Sequence, residues 1–91
     1  TAASIANAAS INFEQESIKV FPNPARSKIT IKHNVNINIK SVVFYNVLGE
    51  QVMKIHDGFD SIDVSQLSSA LYFVKIKSDV VEINKRLIIK K

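Results

Sequence analysis

An all-β sandwich of seven short antiparallel strands is the fold this sequence predicts. Three observations predict it. Apolar side chains recur at every second residue along most of the chain, which sends one set into a core and the other into water. The residues at those positions are mostly β-branched or aromatic, the types that suit a pleated surface. Turn formers interrupt the pattern at strand-length intervals, as in sandwiches of short strands. No segment carries a helical apolar stripe, and no internal repeat is visible.

The elements follow in order. Residues 1–15 are small and nearly uncharged at their start and read as a linker, flexible or partly helical. The first residue is Thr1, so the chain is expected to be a processed product or a piece of something longer. The stretch lacks the basic and apolar regions of a secretory signal. The domain proper is expected over 16–91. Its first strand, about 16–21, alternates Ile18 and Val20 with Ser17 and Lys19. Pro22-Asn23-Pro24 stops it, because proline lacks the N–H a ladder needs; this is read as a rigid turn in preference to a contact site. Ile29 and Ile31 mark the second strand, 28–33. Alternation continues through Val35, Ile37 and Ile39. The third strand, 39–46, contains Ser41-Val42-Val43-Phe44-Tyr45, apolar on both faces and so expected to be central and covered on each side. Gly49 reads as a hairpin turn before a strand at 51–56, and Asp57-Gly58 as a second turn before one at 61–64. Leu67, alone among serines and a glutamine, is expected to plug one end of the core. Strands at 71–77 and 80–89 flank a turn at Ser78-Asp79. Tyr72 is expected to be a core aromatic whose hydroxyl finds a backbone partner.

The chain has 91 residues, 46% of them hydrophobic and 22% charged, which fits one globular domain. It has no cysteine, and therefore no disulfide, thiolate nucleophile or thiolate metal site. No run of apolar residues is long enough for a spanning helix, so direct membrane insertion is not expected. Net charge is +4. The last seven residues, Lys85-Arg86-Leu87-Ile88-Ile89-Lys90-Lys91, hold four cations and no acid, and the other 84 are balanced at 8 basic and 8 acidic. An excess confined to one end argues against a nucleic-acid module, which spreads its cations over a face. It fits a terminal address or docking tail.

Catalysis finds little support. His33 and His56 are the only histidines, each following a strand pattern, and no serine, histidine and aspartate fall in a recognisable order. Two isolated glycines cannot build a phosphate-cradling loop. Asp57, Asp60 and Asp63 surround Gly58, but their spacing is not that of a calcium loop; Asp57 reads as a turn residue and the other two as solvated. No enzyme activity, cofactor or metal is expected.

At this point the residues resemble a known family. Val20-Phe21-Pro22-Asn23-Pro24-Ala25 resembles the opening motif of the type A C-terminal sorting domain of the type IX (Por) secretion system. Val42 to Val52 resembles its middle motif, and Ile62-Asp63-Val64-Ser65-Gln66-Leu67 and Leu71-Tyr72-Phe73-Val74-Lys75-Ile76 its next segments. Asn84 to Lys91 resembles its basic, apolar C-terminal stretch. The motifs keep family order over 18–91. Two departures stand out: Ser68-Ser69-Ala70 where a glycine is usual, so that another turn type is expected there, and Glu50 where a base is frequent.

The resemblance implies an immunoglobulin-like sandwich. It implies a secretion signal that carries an upstream cargo through the periplasm and across the outer membrane. There a sortase-like surface protease removes the signal, cutting within residues 1–15, and the product is surface-bound or secreted. Lys85, Arg86, Leu87, Ile88, Ile89, Lys90 and Lys91 are the expected recognition residues, contacting the secretion machinery. Pro22, Asn23, Pro24, Gly49 and Tyr72 are structural. A terminal strand at a sheet edge would also permit self-association. The alternative is an adhesive or carbohydrate-binding module of the cell surface. With no tryptophan and seven other aromatics, several of them committed to the core, the chain is poorly equipped for that.

Overall fold

A computed structural model describes residues 18–34 and 36–91. The expected linker at 1–15 and the start of the expected first strand lie outside the described residues. Seven strands follow one another: β1 Ile18–Phe21, β2 Lys28–His33, β3 Ile39–Tyr45, β4 Gln51–Ile55, β5 Ile62–Asp63, β6 Ala70–Ser78 and β7 Glu82–Ile89. They form a three-stranded sheet in the order β1-β2-β5 and a four-stranded sheet in the order β4-β3-β6-β7, with every strand pair antiparallel. Ile18, Ile29, Ile31 and Ile62 of the first sheet share one core with Phe44, Val74, Ile76, Leu87 and Ile89 of the second. The expected all-β sandwich is therefore what forms.

β4 lies beside β3, not beside β5 as in the four-and-three division of antibody constant domains. The cause is the short β3–β4 hairpin, which leaves no room for β4 to cross to the other sheet. Asn46 organises that hairpin. Its side-chain oxygen accepts from the N–H groups of Leu48 and Glu50, and its amide donates to Glu50 Oε1, each at 3.0 Å. Glu50 thus has a role in this turn despite departing from the family pattern. Gly49 completes it at φ +84°, a conformation that disfavours any side chain.

Three sequence expectations are refined. Val43, on the outer face of β3, is buried without a third layer among the described residues; it stands opposite Lys54 and Lys75, side chains whose long alkyl stems suit them to cover apolar surface. Ile37 lies between the strands, as the expected bounds at 33 and 39 place it: its N–H donates to Asn34 C=O at 3.0 Å, and β3 begins at Ile39. Ile37 is nonetheless in the core. β5 shrinks to two residues, because its flanks bond to β2 irregularly, Ile31 N–H reaching Phe59 C=O and Thr30 Oγ1 reaching Asp60 C=O at 2.8 Å each. Ala70 opens β6 and pairs with Ile89; no described non-glycine residue has positive φ, so the glycine-free loop before it carries no left-handed residue. Leu67 joins the core as expected.

Tyr72 is buried at the start of β6, and its hydroxyl donates to Ser68 C=O at 2.9 Å. A tyrosine bonded to backbone a few residues upstream at this corner is the tyrosine corner of Greek-key sandwiches.

Candidate functional site

β7 is an edge strand of the four-stranded sheet, and its side chains alternate. Ile83, Leu87 and Ile89 are buried, while Glu82, Asn84, Arg86 and Ile88 are exposed. Lys85 falls on the inward parity, half-buried opposite Val74, and is itself partnered. The expected recognition stretch is thereby divided. Leu87 and Ile89 are core residues, 0% and 1% exposed. Arg86, Ile88, Lys90 and Lys91 face solvent.

The outer edge of β7 is not simply open. Asn23 lies against it through both ends of its carboxamide: Nδ2 donates to Arg86 C=O at 3.1 Å, and Oδ1 accepts from Ile88 N–H at 3.0 Å. Ala25 continues the contact, donating to Ile88 C=O and accepting from Lys90 N–H, both at 2.8 Å, in a parallel bridge with Ile89. Pro22 and Pro24 have no N–H, so this strap is built from one amide side chain and the first backbone N–H after the prolines. Both prolyl bonds are cis. Pro22-Asn23-Pro24 is therefore a turn that also closes part of the terminal strand's edge. Local sequence pattern does not reveal this, since the bonded residues lie more than sixty positions apart.

Lys91 is anchored too. Its N–H donates to Ser69 Oγ at 3.1 Å, and its ammonium donates to Ser65 C=O. Ser65 in turn donates its N–H to Asp63 Oδ1 at 2.9 Å, so Asp63 is a turn acceptor and not merely a solvated carboxylate. Ser65, through its side chain and then its backbone, holds the Asp63 carboxyl below its ordinary pKa, and Lys28 and Lys91 add to this. A carboxyl depressed on folding contributes stability above the ordinary carboxylate range and loses it as pH falls through the folded value. An Asp63→Asn variant keeps the acceptor but not the titration. Its urea midpoint is expected to fall less between neutral and strongly acidic pH than that of the parent chain. An equal fall would show that Asp63 does not contribute to acid sensitivity.

Asp57, Asp60 and both histidines are exposed. Among the described residues no three His, Cys, Asp or Glu side chains gather as a metal site, and no helix is long and apolar enough to cross a membrane. What the arrangement offers is a surface: a terminal strand fixed from both sides, presenting cations and one isoleucine.

The family model described as the secretion system C-terminal sorting domain matches residues 19–90. No curated protein matches the chain.

Proposed function

This chain belongs to the type IX secretion C-terminal sorting domain family, and on that premise we propose that residues 16–91 are the folded address of a cargo carried upstream, with 1–15 as the linker between them. The family is one of secretion signals, which send an attached protein to the cell surface or the medium. The domain acts by docking and performs no chemistry of its own. It is read in the periplasm, and a sortase-like protease at the surface then cuts the linker. The neighbours β1-β2-β5 and β3-β6-β7, with β4 alone placed differently from an antibody constant domain, and the Tyr72 corner support an immunoglobulin-like reading of the sandwich.

The observation that carries the docking proposal is the held terminal strand. Leu87 and Ile89 lock it into the core, Asn23 and Ala25 hold its edge, and Ser65 and Ser69 hold its last residue. Arg86, Ile88, Lys90 and Lys91 are thereby displayed in a fixed geometry, with little ordering entropy left to lose on binding.

Deleting residues 85–91 would remove core residues as well as surface cations, so an unexported truncation would not separate folding from recognition. A Lys90→Ser/Lys91→Ser pair makes that separation. Fused behind a signal peptide and a fluorescent reporter, in a bacterium with a working type IX system, the parent chain is expected to bring the reporter to the surface or medium. Disabling the system abolishes this. The double variant is expected to fold, by thermal unfolding, and to export about tenfold less, the effect of losing about 1.4 kcal/mol of binding energy. Unchanged export by the folded variant would refute recognition through the terminal lysines.

A further inference from the structure

The outer face of the β4-β3-β6-β7 sheet carries an open groove of about 450 Å³, lined by Leu71, Phe73, Asn84, Lys85 and Arg86. The strand registers build it. Phe73 stands between Tyr45 and Arg86 across the sheet, and Leu71 stands opposite Ile88. Phe73 is 39% exposed and Ile88 45%, so this end of the sheet shows water an apolar strip that the core does not use. Its surroundings are cationic. Beside the inward, partnered Lys85, the four strands carry Lys40, Lys54, Lys75, Lys77 and Arg86 against a single acid, Glu82, which is paired with Lys75 at 3.4 Å.

A strand edge runs beside the groove. Asn23 and Ala25 bond the outward backbone groups of Arg86, Ile88 and Lys90. The same period of two turns the backbone groups of Glu82 and Asn84 outward, and among the described residues nothing outside β7 bonds them. The second half of this edge thus shows that it accepts peptide groups, and the first half continues the same ladder.

We infer that the groove and the adjoining edge receive an extended segment of a partner protein, with an apolar side chain against Phe73 and Leu71 and a carboxylate facing Arg86. This rests on the reading of the domain as a docked address, and names the face and the chemistry of its partner. Backbone groups along Glu82–Asn84 supply affinity and the groove supplies selectivity, as in strand addition elsewhere. A second copy is disfavoured because it would set one cationic face against another. A lipid chain fills the groove but leaves the strand edge without hydrogen-bond partners.

The test is photo-crosslinking in the secreting cell. The reporter fusion carries Phe73→p-benzoylphenylalanine, an exposed position where an aromatic ring is kept, and the crosslinked residues are mapped by mass spectrometry. The expected product joins position 73 to a segment of another protein with apolar residues flanked by Asp or Glu. Adding Arg86→Glu is expected to lower its yield about tenfold, as charge reversal in a paired contact does. The inference is overturned by crosslinks to lipid or glycan, to a second copy, to the chain's own residues 1–17, or to a segment without carboxylates. Absence of any product from a folded fusion overturns it equally. If thermal unfolding shows the Phe73 variant to be unfolded, Ile88→p-benzoylphenylalanine is read in the same way. Export of the unsubstituted fusion scores the address reading separately, so failure of the groove and failure of the address are told apart.

Discussion

Leu87→Ala is expected to lose about 2–5 kcal/mol of unfolding free energy, the range for truncating a fully buried leucine. Leu87 is 0% exposed and pairs opposite Tyr72, in the part of the sheet where the Tyr72 corner is built. In a domain this small a loss of that size is a large share of the total stability. The export signal should fall with it, because the displayed cations lose their frame. Ile88→Ala, one residue along and outward, is the control and is expected to change stability by no more than about 0.5 kcal/mol. Equilibrium urea unfolding of the two variants measures both. Equal losses would mean that the alternation of β7 is not the one described.

Asn23→Ala removes a carboxamide that makes two hydrogen bonds to β7. At about 1 kcal/mol for each bond, the expected loss is about 2 kcal/mol. A second effect is expected beyond stability. With the strap gone, Arg86 C=O and Ile88 N–H return to an open edge, which is the template for strand pairing between copies. Concentration-dependent association by light scattering should appear in the variant and exceed any in the parent. Asn23→Asp separates the two bonds. The carboxylate still accepts from Ile88 N–H but meets Arg86 C=O without a donor, so its stability is expected to lie no higher than that of the alanine variant. If Asn23→Ala has unchanged stability and association, the strap contributes nothing to either.

Much of the fold was legible because period-two burial and turn chemistry are local. Ile29, Ile31, Val74 and Ile76 announce their strands by alternation, and Gly49 and the serines around Leu67 announce where the chain reverses. Around Ile37 alternation among asparagines continues between two strands, and the expected bounds at 33 and 39 left it outside both, where a turn bonds it to Asn34. The contacts that join Asn23 and Ala25 to β7, or Lys91 to Ser65 and Ser69, link distant parts of the chain and leave no periodic trace. For the candidate surface, alternation already sets Ile83, Leu87 and Ile89 on one parity and Glu82, Asn84 and Arg86 on the other, and the structure buries the first set and exposes the second. What the pattern does not carry is which residues close the strand's outer edge. Leu71 and Phe73 were unmarked because an apolar residue on the solvent face of a sheet looks, in sequence, like any other member of an apolar strand.

The order in which the strands are made gives the position of β7 a further meaning. Chains leave the ribosome from the N-terminus, and domains fold as units once their parts are available. β7 is the last of the seven strands to emerge, and it supplies Ile83, Leu87 and Ile89 to the core. The first-made turn, at Asn23 and Ala25, finds its bonding partners only then. A copy lacking β7 would therefore lack the residues that close the core. On the reading of the domain as an address, incomplete cargo would carry no legible label.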